Sequence, residues 1–327
     1  MAMRLSAGRS AVGIAALVSV LLAASTGCSS GSGDGGGGGE DGSPLLAALG
    51  ALSGDAGAKS VTYLDAARVR ELSKDDAKRF STVSRTASTL LNSYEPSQLG
   101  AEFKKSDIET AVDTPEAGRW TGTFDEKAIT EALESGGYAR SGHDGREVWS
   151  RQTGTGASFR VSKDEISYST EGSGSMAAVD PRSGSSLADD KDFRRAAECP
   201  GDVYRAAFVP VSSPGAVRLA ASGQQAPSAT ENTEILCFVT KDEAAAASLE
   251  KELREVVSAE APTFDGTKVT VEKGDRPVVR AGVPDSATQR PGRLIVSDLE
   301  LWMAAVKHGR RQPQGRHAAV PYSRGAR

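Results

Sequence analysis

Histidine and cysteine are scarce in this 327-residue chain, with three of each. These are the residue types that most often ligate metals or activate nucleophiles. His143 falls in a predicted hairpin turn, and His308 and His317 lie in a basic C-terminal stretch. None stands at the spacing of a zinc ligand set, and no cysteine has a histidine close by in sequence. A G-x-S-x-G nucleophile elbow is also missing. The nearest run, Gly172-Ser173-Gly174-Ser175-Met176, lacks the final glycine and reads as loop. A phosphate-cradling loop is absent too, because Gly154-Thr155-Gly156 is short and leads into a strand, not a helix. No residue is therefore assigned a catalytic, cofactor-binding or metal-binding role.

No apolar run is long enough to span a bilayer. Residues 11–24 make a helix of about 21 Å at ~1.5 Å per residue, whereas a bilayer core takes ~20 residues. The run follows Arg4 and Arg9 and gives way to small residues, the order of an export signal. The two arginines are not adjacent, so a twin-arginine signal is not supported. The segment ends in Ser25-Thr26-Gly27-Cys28 and resembles the leaders of bacterial lipoprotein precursors. In that family the cysteine after a small-residue box is diacylated and becomes the new N-terminus. The resemblance covers about the first tenth of the chain and implies one site residue, Cys28, as the lipidated position. It also implies a location outside the cytoplasm, on the outer face of the cell membrane, with membrane lipid as a partner. Ser25 stands where the family prefers leucine, and the alternative is ordinary cleavage near Ala23-Ala24-Ser25, which releases the protein.

Residues 29–43 read SSGSGDGGGGGEDGS and hold nothing able to enter a core. Such a coil reaches roughly 20 Å root-mean-square, a suitable stand-off for an anchored domain. Asp34 and Asp41 in one irregular copy do not make a calcium-binding repeat.

The formal net charge of −4 conceals an asymmetry. The stretch 307–327 holds six Lys or Arg and no acid, so everything before it is net acidic. The folded part has no nucleic-acid footprint. The basic end suggests a tail that meets anionic lipid or a cell-wall polymer, against the plainer reading of a solvated disordered terminus. With Cys28 lipidated, Cys199 and Cys237 remain as an even pair suited to a disulfide in an oxidising compartment, two buried free thiols being the alternative.

The body predicts an α+β fold, with antiparallel sheets and helices packed on one face. Its first segment, 44–190, starts with a short apolar helix at 44–53 and mixed strand and helix character at 61–69. A helix at 75–91 capped by Ser73 and a helical turn at 106–112 follow. Next come a strand at 120–123 and a helix whose Ala128, Ile129, Ala132 and Leu133 share one face. That helix is entered by a Thr123/Glu126 capping box and stopped at Gly136-Gly137. Hairpins are predicted from 138–141 with 147–150, around His143-Asp144-Gly145, and from 159–161 with 166–168.

A helix at 186–198, entered through Ser185 or Ser186, leads into the second segment, 191–306. There we predict a strand at 203–211, a long loop at 212–232 with a helical turn at 216–221, and a buried strand at 234–239. Thr240-Lys241-Asp242-Glu243 then opens a helix to about 258 with Ala245, Leu249, Leu253 and Val256 in a stripe. A hairpin of 268–272 with 278–283 and a packed element at 293–302 complete the body. Strand, Thr-x-Asp-Glu, amphipathic helix and paired strands thus occur twice. This suggests two similar halves, set against chance recurrence of common capping boxes. Residues 1–27 are the signal peptide, 28–43 the lipidated cysteine and tether, and 307–327 the basic disordered tail.

Carboxylate pairs Asp125/Glu126, Asp189/Asp190 and Asp242/Glu243 all fall at helix starts, where exposed N–H groups favour negative charge. The expectation is a lipid-anchored, non-catalytic binding or scaffolding protein of the cell envelope, with no protein partner identifiable. A carrier of an apolar ligand and an envelope hydrolase are the alternatives. The mature part resembles no family we can name.

Overall fold

The computed structural model describes residues 43–310 except 87, 93–98, 144–145, 152–155, 173–174 and 212–214. Cys28, the predicted leader, the predicted tether up to residue 42 and the predicted tail beyond Arg310 lie outside them.

The described strands form one twelve-stranded antiparallel sheet with helices against it, an α+β fold. In chain order, α1 (Pro44–Leu49) precedes β1 (Val61–Asp65). Then come α2 (Ala66–Asp75), α3 (Ala77–Phe80), α4 (Thr89–Asn92), β2 (Ile108–Asp113) and β3 (Ala117–Gly122). Helix α5 (Glu126–Ser135) leads to β4 (Tyr138–His143), β5 (Arg146–Arg151), β6 (Ser158–Val161) and β7 (Glu165–Ser169). The rest comprises α6 (Lys191–Glu198), β8 (Arg205–Pro210), β9 (Val217–Ser228), β10 (Glu231–Thr240), α7 (Glu243–Ala259), β11 (Lys268–Glu272), β12 (Val278–Asp285), α8 (Arg293–Val296) and α9 (Glu300–Arg310).

Across the sheet the order is β11-β12-β10-β9-β8-β1-β2-β3-β7-β6-β5-β4. Strands β1 to β7 occupy one block and β8 to β12 the other. They meet where β1 pairs antiparallel with β8, Val61 opposite Phe208 and Leu64 opposite Arg205. Both blocks follow one plan. Three strands run side by side, a helix crosses over, and the last strand returns to pair with the third: β7 with β3, and β12 with β10. The first block carries an additional hairpin, β4–β5, at its outer edge. It also places α2 to α4 between its first two strands, where the second block has a short connection.

Strand alternation divides the core between two faces. On β10, Ile235, Cys237 and Val239 join α1 and α6 on the front face, with Val61, Tyr63, Phe193 and Phe208. Leu236 and Phe238 point to the back, where Ala246, Leu249 and Leu253 of α7 and Leu301 of α9 cover the second block. Leu64, Trp120 and Tyr168 share that back face in the first block under Val69, Phe80, Ile129 and Leu133. The crossover helices α5 and α7 therefore lie on the same face, as the amphipathic stripes predict, while α1 and α6 cover the opposite one.

Several local boundaries differ from the sequence reading, most of them through carboxylate caps. Asp125 Oδ1 accepts the Ala128 N–H at 3.0 Å and caps α5, two residues beyond the predicted Thr123. Asp242 Oδ1 accepts from Ala245 N at 2.7 Å and caps α7 in the same way. Thr240 instead donates its hydroxyl to the Pro277 carbonyl. The predicted helix at 75–91 is not continuous: α2, capped by Asp65, ends at Asp75, Asp76 with φ −147° breaks the chain and caps the short α3, and α4 begins only at Thr89. Residues 61–65 are strand, and the predicted helical turn at 106–112 is a 3-10 turn at Lys105–Asp107 that gives way to strand β2 at Ile108. Helix α6 starts at Lys191, not Ser186, since Asp190 Oδ1 takes the N–H groups of Asp192 and Phe193. The predicted loop at 212–232 contains β9, paired on both sides with β8 and β10. Pairing on both edges overrides the low strand propensity of its Ser, Gly and Gln residues. The first four residues of the predicted tail continue helix α9.

Candidate functional site

The chemistry-bearing groups that the sequence singled out have structural positions. Asp125, Asp190 and Asp242 cap helices, and Glu126 and Glu243 occupy first turns. Asp189 holds the N–H and hydroxyl of Ser186, which depress its pKa. His143 ends β4, opposite Arg146 in register, His308 lies in α9, and His317 is outside the described residues. Among the described residues no group of three potential metal ligands converges, and no helix is long and apolar enough to cross a membrane.

Cys199, at the end of α6, and Cys237, on β10, form a disulfide with Cα atoms 6.2 Å apart. It fastens α6 to the front face. Arg280, the register partner of Cys237 on β12, donates Nε–H to the Cys199 carbonyl at 3.2 Å. Both cysteines are buried in the front-face cluster.

The back face holds two buried carboxylate clusters that the sequence reading missed. The first centres on Asp113 at the end of β2, 1% exposed. Its Oδ1 accepts the indole N–H of Trp120 at 2.8 Å and the hydroxyl of Tyr168 at 2.9 Å. Burial pushes the carboxyl up to about 7, against the two hydrogen bonds, which favour the ionised form. Tyr168 is raised well above the ordinary phenol range, first by burial and then by the neighbouring carboxylate. Gly118 lies opposite Asp113 in the β2–β3 register, and a Cβ there would collide with Asp113 Oδ1 and the Tyr168 ring. The missing side chain makes the cluster possible.

The second cluster spans β9, β10 and β12. Glu234 is 1% exposed inside the run Glu231–Thr240. Its Oε1 accepts Gln224 Nε2 at 2.7 Å and the Gly292 N–H, and its Oε2 accepts Leu294 N–H at 3.1 Å. Gln224 Oε1 accepts from Asn232 Nδ2 at 3.1 Å, and that same amide reaches Asp285 Oδ2 at 2.7 Å. Tyr204 donates its hydroxyl to Asn232 Oδ1 at 2.8 Å, and Arg293 Nε donates to Asp285 Oδ1 at 2.8 Å. Burial, and then the charge of Asp285, push Glu234 up to about 7. Asp285 is raised by burial against the opposing pull of Arg293 and Asn232.

Arg79, 3% exposed on α3, closes the rim of this cluster. Its guanidinium donates to the carbonyls of Ala229, Gln289 and Ser286. The network therefore clamps residues 286–298 onto the back face, and the chain's own donors occupy every oxygen of Glu234 and Asp285. Chemically the cluster is a lock: it offers a substrate neither an open carboxylate nor a solvent path.

Outside these clusters, an open groove of about 380 Å³ runs along α7, lined by Ala247, Glu250, Lys251, Arg254, Glu255 and Ser258. Arg254 there is tied to Glu250 and to the Val269 carbonyl on β11. The only sequence signals for the buried clusters were an acid inside the apolar run at 234–239 and a glycine two residues before Trp120. Neither signal specifies a partner. The chain matches no protein-family model, and neither a curated protein nor a solved structure matches it.

Proposed function

We propose that this is an exported lipoprotein, held at the outer face of the cell membrane through Cys28, that binds or scaffolds another envelope component without catalysis. The observation that carries the non-catalytic part is the saturation of the buried carboxylates. Glu234 and Asp285 are adjacent and displaced in pKa, as a hydrolase pair would be. Both, however, are spent on backbone N–H groups, Asn232, Gln224 and Arg293. A hydrolytic pair needs a water and a substrate between its members, and here the chain itself fills that space. The disulfide supports export, since structural disulfides persist in oxidising compartments.

Native mass spectrometry of the protein extracted from its own membrane tests the reading. It expects a chain starting at Cys28 with added acyl mass, two hydrogens short for the cystine, and no small apolar ligand retained. An intact leader on a cytoplasmic protein removes the proposal. A stoichiometric lipid beyond the acyl chains replaces it with a carrier. Cross-linking in the intact envelope then names what is bound.

A further inference from the structure

The sheet does not close on itself, so it has two edges, and the chain treats them differently. At the β11 edge the Val269 carbonyl receives Nη2 of Arg254 from α7 at 2.7 Å. The other edge is β4, paired with β5 over six consecutive positions, from Tyr138 opposite Arg151 to His143 opposite Arg146. Two residues connect that hairpin, so His143 and Arg146 form a hydrogen-bonded pair. The N–H and C=O groups of Arg140 and Gly142 therefore point away from β5. No described hydrogen bond takes them, and Arg140, Ser141 and Gly142 are exposed. The ladder has neither a bulge nor a proline to blunt this edge, and its one charge, Arg140, is neutralised by Glu147.

An open edge is completed by another strand, and β4 is complementary to itself. In a two-fold antiparallel pair, outward groups must face outward groups, which leaves three registers near the middle of the strand. Arg140 opposite Arg140 sets like charges together. Gly142 opposite Gly142 carries Arg140 past the end of the strand, to position 144. The third register, centred on Ser141, sets Arg140 of each copy opposite Gly142 of the other. A Cβ at Gly142 would meet nothing within 4 Å, so an arginine side chain has room to lie across it. Next to Gly142 in the same row stands Glu147, its side chain 56% exposed. Each Arg140 then lies between its own Glu147 and that of the other copy, two strands or about 10 Å away. At the centre two Ser141 residues meet as a close, non-hydrogen-bonded pair that suits small side chains.

We propose that β4 is a self-pairing edge. Two copies of this chain join antiparallel about Ser141, with Arg140 of each set against Gly142 and Glu147 of the other. Four backbone hydrogen bonds and a row of alternating charge then make one continuous sheet of two. So short an edge buries well under the ~1,600 Å² of a lasting complex, so the dimer is reversible and concentration-dependent. It does not depend on what happens at Cys28.

A cross-link that reads the register tests this. The Cα atoms of a non-hydrogen-bonded antiparallel pair stand at a spacing that a disulfide spans. In the full chain isolated from its own cells and oxidised with copper phenanthroline, Ser141→Cys should link to itself about tenfold faster than Arg140→Cys, which faces Gly142. The parent chain reports any link through Cys28. In the Ser141→Cys background, Glu147→Arg should slow the link about tenfold, since each dimer then meets the like charges twice, and adding Arg140→Glu should restore it. Gly142→Pro should abolish the link at an unchanged melting temperature, because the N–H it removes points out of the ladder with β5. Should that variant melt early, the charge reversal and its rescue decide alone. Equal rates for the two cysteines, a rate indifferent to the charge reversal, or a rate that does not fall on dilution overturns the self-pairing. So does a link to a different protein, which makes β4 a dock for a foreign strand.

Discussion

Asp113→Asn is the substitution that most directly tests whether a buried acid shapes the stability of this fold. The carboxyl is fully enclosed, and burial raises it from 3.8 to about 7. A group whose folded pKa is raised stabilises the protein fully below its unfolded value. That contribution is lost as pH climbs through the folded value. At about 1.4 kcal/mol per pH unit, the difference between the two values is on the order of 4 kcal/mol between pH 4 and pH 8. Asparagine keeps an oxygen that accepts from Trp120 and Tyr168, but carries no charge to desolvate. The variant should equal or trail the parent at pH 4 and exceed it at pH 8.

Urea unfolding followed by tryptophan fluorescence, with the disulfide intact, gives both curves. Their difference cancels every carboxylate shared by the two proteins. Parallel pH profiles would refute the reasoning, as would a variant that loses most stability at pH 8. Tyr168→Phe supplies a control. It removes a donor to Asp113 and should move the titration higher, steepening the pH dependence, while leaving a buried acceptor short of one partner.

Glu234→Gln should destabilise by about 1–3 kcal/mol, because an amide N–H then faces the Leu294 N–H that the carboxylate accepted. Hydrogen exchange should speed selectively in residues 286–298, and uniform protection would argue against the clamp. Reducing the disulfide, or replacing Cys199 and Cys237 with alanine, should lower stability by up to about 4 kcal/mol for a 38-residue separation, read as a shift in the urea midpoint. Gly118→Ala should cost about 1–3 kcal/mol through the collision with Asp113 and Tyr168, and an unchanged melting temperature would contradict that geometry.

What the chain disclosed before its structure depended on how local each signal was. Hairpins β4–β5, β6–β7 and β11–β12 were legible because turn residues and alternation lie within twenty residues of each other. Helices α5 and α7 were legible from their stripes, though their caps were placed two residues early. Thr123 and Thr240 resemble capping residues, but Asp125 and Asp242 compete better for the N–H groups. Strand β9 was missed because Ser222, Gly223, Gln224 and Gln225 argue for a loop until two neighbours claim their backbone groups. The buried clusters were invisible for a related reason. Asp113 meets Tyr168, 55 residues away, and Glu234 meets Leu294, 60 residues away, and no spacing rule reaches that far. The cysteine pair was the exception, because counting alone left Cys199 and Cys237 to each other once Cys28 was set aside.

The repeated plan of the sheet explains where those acids fall. In each block the buried carboxylates sit on the back face, across the second, third and last strands: β2, β3 and β7 in one, β9, β10 and β12 in the other. The crossover helices α5 and α7 cover other parts of that face. Beside the clusters the cover is largely short helices and irregular chain: α4 with the segments around Leu99 and Phe103 in the first block, and α3 with residues 286–298 in the second. Irregular cover brings N–H groups into a core without a ladder to receive them, and an unmet buried donor costs about as much as a lost hydrogen bond. In the second block Glu234 receives two such backbone donors. In the first, Asp113 receives the donors of the aromatic side chains that fill the same position. If this is the reason for the acids, their removal should loosen the cover and not the sheet. Exchange protection should then persist in β9 and β10 of Glu234→Gln while it is lost in 286–298, a division that a general loss of stability would not produce.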